Sequence, residues 1–153
     1  MPTAGKTDAD LRALRDLVDA WAHHSDRREH AAQAALVSAD GAVEVYRADP
    51  ATADPVKRLE GHEAMAASFS ATMSAYTVTT HFNGQSRFLL DDDSATGETS
   101  CLAYHFTGDG QERVLTLMAI RYLDSFVRDR DRGWRFRRRR LVIDWTEERP
   151  STP

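Results

Sequence analysis

The stretch Ala95-Thr96-Gly97-Glu98-Thr99-Ser100-Cys101-Leu102-Ala103-Tyr104-His105-Phe106-Thr107, followed by Gly108-Asp109-Gly110 and then by Arg113 to Arg128, decides the fold. β-Branched and aromatic residues run through both arms, and a glycine-bracketed turn joins them, which reads as a long β-hairpin. Outward from it, Asp91-Asp92-Asp93-Ser94 is a second turn, and Tyr76 to Leu90 is a further strand with a kink at Gly84. On the other side, Asp129 to Gly133 turns the chain and Trp134 to Trp145 forms a last strand. The tail from Glu147 to Pro153 is expected to be disordered or to lie on the surface.

The amino-terminal half has a different period. After a loose start, Asp8 or Asp10 is placed to cap a helix. Leu11, Leu14, Leu17, Val18 and Trp21 then recur at helical spacing, with Ser25 and Asp26 near the end of that face. A second helix is expected from Arg28 to Val37, a turn at Ala39-Asp40-Gly41, and a short strand from Ala42 to Arg47. That strand puts Val43 and Val45 on one face and Glu44 and Tyr46 on the other. Ala48 to Pro55 reads as a loop and His62 to about Met73 as a short helix. Helices first and long antiparallel strands after argue for α+β: a cone-shaped α+β barrel, its curved, mostly antiparallel sheet wrapped around the N-terminal helices. The 153 residues read as one domain with an ordered core of about 8–146.

Bulk charge narrows the partners. A net charge of −4 disfavours nucleic acid and anionic membranes. The run Arg137-Arg138-Arg139-Arg140 cannot form one basic stripe in a strand, where neighbours face opposite ways. Two arginines are expected outward and two inward, and an inward one needs a carboxylate (Asp124 or Asp144) or an anionic ligand. One cysteine, Cys101, fits a reducing cytoplasm. The opening Met1 to Thr7 lacks the apolar core of a signal peptide, and no apolar run approaches the roughly 20 residues of a membrane helix.

Three polar residues carry the chemistry: Asp26 at the end of the first helix, His81 in Thr79-Thr80-His81-Phe82-Asn83, and His105 in the hairpin. A carboxylate that orients an imidazole is the minimal machinery for moving a proton near neutral pH. Alternation places Cys101, Ala103 and His105 on one strand face, with small residues leaving room for a ligand. Each of the three also fits a plain role: a helix-end carboxylate in water, a satisfied polar residue in a sheet, a buried core histidine. An iron site of two histidines and one carboxylate fits by residue type alone, without any local ligand spacing. His23, His24, His30 and His62 read as helix-surface residues. Trp134 and Trp145 read as core or interface anchors, and Phe69, Met73, Phe82, Met118, Ile120, Tyr122 and Phe126 as apolar wall.

The segments Leu17 to Arg28, Thr80-His81-Phe82-Asn83-Gly84 and Gly133-Trp134-Arg135-Phe136 through Arg139 to Asp144-Trp145 resemble the SnoaL-like branch of the nuclear transport factor 2-like superfamily. The likeness spans roughly Asp8 to Trp145, nearly the whole chain. It implies the cone fold, and a chemistry like that of scytalone dehydratase, hexachlorocyclohexane dehydrochlorinase and bile-acid dehydratase, which eliminate without metal or organic cofactor. In that comparison Asp26 and His81 fall on the catalytic aspartate and histidine. His105, Tyr46 and Arg139 fall on or near pocket positions that contact substrate. Trp21 stands where some relatives carry a tyrosine or lysine acting on the leaving group, and Ser25 replaces a second tyrosine, so candidate acids are missing.

The expectation is therefore a cofactor-independent dehydratase, isomerase or cyclase acting on a hydrophobic, ring-containing molecule. His81 would be the base, Asp26 its partner, and Tyr46, His105 and Arg139 would polarise substrate oxygen, with Trp21 against the substrate. The rival is a non-catalytic binding or oligomerisation domain on the same fold. Apolar residues on both faces of Arg113 to Arg128 point to a homodimer or homotrimer.

Overall fold

The structure, a computed structural model, describes residues 4–152. Three helices, α1 (Ala4–Asp26), α2 (His30–Ala34) and α3 (His62–Met73), pack against one six-stranded sheet. Its strands are β1 (Val37–Tyr46), β2 (Lys57–Glu60), β3 (Val78–Asp91), β4 (Ser94–Thr107), β5 (Val114–Asp129) and β6 (Gly133–Pro150), in the order β2-β1-β6-β5-β4-β3. All neighbours are antiparallel except β1 and β6, which run parallel. The sheet is not closed; it is the curved wall of an α+β cone.

Helix α1 forms where the apolar period is strongest. Leu14, Leu17, Val18 and Trp21 are all buried on one stripe. Trp21 meets Phe69 and Phe136 edge to face, with centroids 5.3 and 5.6 Å apart, joining α1 to α3 and β6. The helix starts earlier than the expected cap. Asp10 lies inside it and accepts a hydrogen bond from Trp134 Nε1 (3.2 Å) while pairing with Arg128 (2.7 Å). The expected loose start falls partly outside the described residues, up to Thr3, and is helical from Ala4 onward.

The hairpins of β3, β4 and β5 match the sequence reading, and the kink near Gly84 is a register shift between Asn83 and Ser86. The turn after β4 is longer than expected and contains a single 3₁₀ turn, Gly110–Glu112. Three expectations need correcting. Ala39-Asp40-Gly41 is not a turn but an irregularity within β1, where pairing with β6 jumps between Val37 and Ala42. The chain comes so close there that a Cβ on Gly41 would lie 2.6 Å from Val37 Cγ1 and 2.9 Å from Arg137 O. The second helix shrinks to His30–Ala34 because β1 already begins at Val37. The last strand continues to Pro150 because β5 is long enough to pair with all of it; residues 144–150 are exposed.

The arginine run also behaves differently. A shift between Ser125 and Phe126 leaves Arg137 as an extra residue opposite β5, so the alternation is broken. Arg137 and Arg138 are exposed and Arg140 is half-buried; only Arg139 turns fully inward. Arg137 pairs with Asp40, and Arg138 and Arg58 pair with Glu44.

Candidate active site

Asp26 is the last residue of α1, and the turn that ends this helix aims it at β3. Arg28 takes the left-handed conformation (φ 62°) common at helix ends, though usually as glycine. Its side chain holds the turn in place by donating to Ser25 O (3.2 Å), Tyr76 O (3.3 Å) and Thr79 Oγ1 (2.7 Å). Thr79, having accepted from Arg28, donates its own hydroxyl hydrogen to Asp26 Oδ1 (3.0 Å). The His81 backbone N–H donates to Oδ2 (2.9 Å), and the His81 ring Nδ1–H donates to Oδ1 (2.7 Å). Burial raises the Asp26 carboxyl, but the ring and backbone bonds from His81, its charge and the Thr79 hydroxyl outweigh that and hold it below the usual carboxylate value. Asp26 is thus ionised at neutral pH, and its bond fixes the His81 proton on Nδ1, leaving Nε2 as the basic nitrogen.

His105 Nε2 lies 3.4 Å from His81 Nε2, the rings 65° apart. Desolvation, with repulsion from His81 and Arg28 and against attraction to Asp26, pushes His105 down to about 4, so it is neutral at pH 7. Its Nδ1 is buried without a partner. A bare lone pair is cheaper to bury than a bare N–H, so we assign the His105 proton to Nε2, directed at His81. Tyr76 covers the His105 ring at 4.4 Å. Asp26 and His105 therefore approach opposite nitrogens of His81 and share no point where one metal ion could be bound by all three. His23, His24 and Glu29 do bring ligand atoms within 4.8 Å of one another, at the outer end of α1.

His81 and His105 open on a cavity of about 390 Å³, within the range of small-molecule sites. Trp21 and Ser25 of α1, Phe69 and Met73 of α3, and Val43 and Val45 of β1 line it. Met118, Ile120 and Tyr122 of β5 and Leu141 and Ile143 of β6 complete the apolar wall. Cys101 and Ala103 pack beneath Ile120 and Tyr122, while Phe82 is exposed and Phe126 sits in the core.

The structure brings Asp26, His81, His105 and Trp21 together, and sets Tyr46 and Arg139 apart from the cavity. Tyr46 is on the opposite face of β1 from Val43 and Val45, where its hydroxyl donates to Glu44 Oε2 (2.8 Å). Arg139 is fully buried behind Trp21 and Tyr122. Its guanidinium carbon is 3.7 Å from the Tyr122 ring, 4.4 Å from Phe136 and 4.8 Å from Trp21. Its Nε lies 3.6 Å from Asp124 Oδ1, whose carboxyl burial pushes up to about 7 against the pull of Arg139 and Arg140. Asp144, the other expected partner, pairs with Arg121 instead. Both residues are therefore removed from the expected substrate contacts: Tyr46 by strand alternation, and Arg139, although on the same face of β6 as the cavity-lining Leu141 and Ile143, by Trp21 and Tyr122, which cover it.

Several residues of the site and its wall escape sequence reading. Thr79 and Arg28 show as a motif only once the turn and β3 are side by side. Gln33, 4% exposed, lines the cavity with Oε1 unpartnered, and Arg47 and Lys57 also border it. β2 itself was too short to announce a strand.

Solved structures share this architecture. A candidate scytalone dehydratase from Novosphingobium aromaticivorans superposes with a TM-score of 0.78 at 21% identity, covering 99% of this chain and 97% of that one. A type 2 hexachlorocyclohexane dehydrochlorinase (LinA) gives 0.75 at 18%, covering 98% and 94%. ActVI-ORFA from Streptomyces coelicolor gives 0.69 at 18%, covering 88% and 97%. At these identities the likeness is one of fold. No curated protein matches by sequence. The SnoaL-like domain profile matches residues 7–140, which include the dyad, the second histidine and five of the six strands in full; the chain belongs to the SnoaL-like domain family.

Proposed function

We propose that this protein is a cofactor-independent lyase or isomerase, of dehydratase, isomerase or cyclase type, acting on a hydrophobic, ring-containing small molecule. The observation that carries the reading is the 2.7 Å bond from His81 Nδ1 to an ionised Asp26, at the wall of an apolar cavity. His81 Nε2 takes a proton from a carbon beside a carbonyl or a leaving group. Asp26 stabilises the imidazolium that forms, and the His105 Nε2–H, which faces the His81 Nε2 lone pair at 3.4 Å, turns to developing negative charge once substrate enters and displaces that contact. A positioned base contributes roughly 10²–10⁴-fold. Alignment of the substrate in the cavity supplies more.

The test is hydrogen exchange and dehydration of cyclic β-hydroxyketones in D₂O, followed by NMR. The wild type should exchange the α-hydrogen, and His81→Gln should not, while still binding the same ketone. Exchange at equal rate by both proteins would refute the assignment and favour a binding domain.

The protein further reads as a homodimer or homotrimer. The pairings Phe82–Leu102, Leu102–Ala119 and Ala119–Trp145 put one apolar row across four strands, and its end residues Phe82 and Trp145 are 67% and 49% exposed. Sedimentation at micromolar concentration tests this, and a pure monomer would overturn it. No helix among the described residues is long and apolar enough to cross a membrane.

A further inference from the structure

The cavity has two polar ends, and the proton-transfer reading uses only one. His81 and His105 belong to β3 and β4, at one side of the sheet. Arg47 and Lys57 border the same cavity from the β1–β2 side, at the other. Alternation explains their direction: Arg47 follows Val43 and Val45 on the cavity face of β1, and Lys57 is paired with Val45 in β2. Arg58, the next residue along, faces the other way and is held by Glu44 and Glu60.

Arg47 and Lys57 make no ion pair or side-chain hydrogen bond among the described residues. Most other cations on the sheet do: Arg121 with Asp144, Arg128 with Asp10 and Asp93, Arg137 with Asp40, and Arg138 with Glu44. Two unpaired cations at one end of an apolar cavity create a local positive field, in a chain whose net charge is negative.

Resting on the proposed reading of this cavity as a substrate site, we infer that its substrate is an amphipathic acid. Its carboxylate meets Arg47 and Lys57, and its ring system lies along the apolar wall with the reacting carbon at His81. Four strand spacings separate β1 from β3, the strand of His81, roughly 19 Å along the curved wall, and the inward reach of the Arg47, Lys57 and His81 side chains shortens the gap a substrate must bridge. A bicyclic or tricyclic skeleton carrying a terminal carboxylate spans that gap; a compact monocycle does not reach both ends. Because both cations are exposed, their contribution is modest and screened by salt.

The test is calorimetric titration of the full chain with anthracene-2-carboxylate and with anthracene-2-carboxamide, which share shape and differ in charge. The wild type should bind the acid about tenfold tighter than the amide, with the preference shrinking as salt rises. The double variant Arg47→Met, Lys57→Met should bind the two alike, with amide affinity unchanged. His81→Gln should keep the acid preference. Equal binding of acid and amide by the wild type, a preference that survives in the double variant, or no binding of either probe would each overturn the inference. So would a preference lost in His81→Gln, because the carboxylate would then sit at the dyad. These are equilibrium readouts, so loss of turnover in His81→Gln bears on the proton-transfer reading alone, and loss of acid preference in the double variant bears on this one alone.

Discussion

Replacing Asp26 by Asn separates the charge of this residue from its shape. The carboxylate accepts from three donors: the His81 ring at 2.7 Å, the His81 backbone at 2.9 Å and the Thr79 hydroxyl at 3.0 Å. An amide of the same shape has one acceptor oxygen and must aim its NH₂ at one side. Turned toward the backbone it meets an N–H, donor against donor. Turned toward the ring it meets Nδ1 and forces the proton onto Nε2, removing the free base. Either way a charge-assisted bond worth about 1.5–3 kcal/mol is lost. That energy also sets the tautomer balance of His81, so the ratio of Nδ1–H to Nε2–H should move by a factor of roughly 10–100. Loss of imidazolium stabilisation adds to this in turnover, for a combined fall of roughly 10²–10⁴-fold. The assay needs no substrate: long-range ¹H–¹⁵N NMR of the imidazoles, with circular dichroism to show that the fold is retained. An Asn variant whose His81 keeps its proton on Nδ1 to the wild-type extent would refute the orienting role of Asp26.

Three further outcomes follow from the same geometry. His105 has a folded value of about 4 against 6.5 for the free side chain, so the unfolded chain binds its proton first as pH falls. Its contribution is fully present above pH 6.5 and is lost as pH drops toward 4, about 3 kcal/mol, read as a urea-midpoint shift that His105→Asn should largely abolish. Arg28→Ala keeps the strained backbone but loses three side-chain bonds, and should cost about 2 kcal/mol, whereas Arg28→Gly should recover about 1 kcal/mol of it in thermal melts. Arg139→Met alone leaves Asp124 buried without its cation and should cost about 3–5 kcal/mol, while Arg139→Met with Asp124→Leu should fall near wild type in equilibrium denaturation.

The parts of the fold that sequence revealed are those whose residues interact locally. Leu14, Leu17, Val18 and Trp21 announce α1 by their own spacing, and tight turns announce the β3–β4–β5 meander. What stayed hidden depends on partners far along the chain. Gly41 looks like a turn residue until Arg137 is seen beside it, and the arginine run looks evenly alternating until the register shift at Ser125 is known. The site divides the same way. Asp26, His81 and His105 stand out as polar residues at the ends or on the faces of clear elements. Thr79 and Arg28 gain meaning only from contacts 53 and 51 residues distant. Likeness alone assigns Tyr46 and Arg139 to the pocket; the face of its strand turns Tyr46 away, and the rings of Trp21 and Tyr122 seal Arg139 off.

The position of β6 between β1 and β5 has a consequence for how the chain is made. The meander of β3, β4 and β5 can close as soon as those residues emerge from the ribosome, because each strand pairs with its predecessor. β1, synthesised long before, must wait for a central neighbour that emerges last, with Val43 facing Arg139 and Val45 facing Leu141. Until then β1 and β2 form an isolated ribbon with one apolar side bare, open to pairing with other nascent chains. The cavity is therefore completed only after every other strand of the sheet has been made: the wall bordered by Arg47 and Lys57 joins the wall at its histidine end when β6 slides between them.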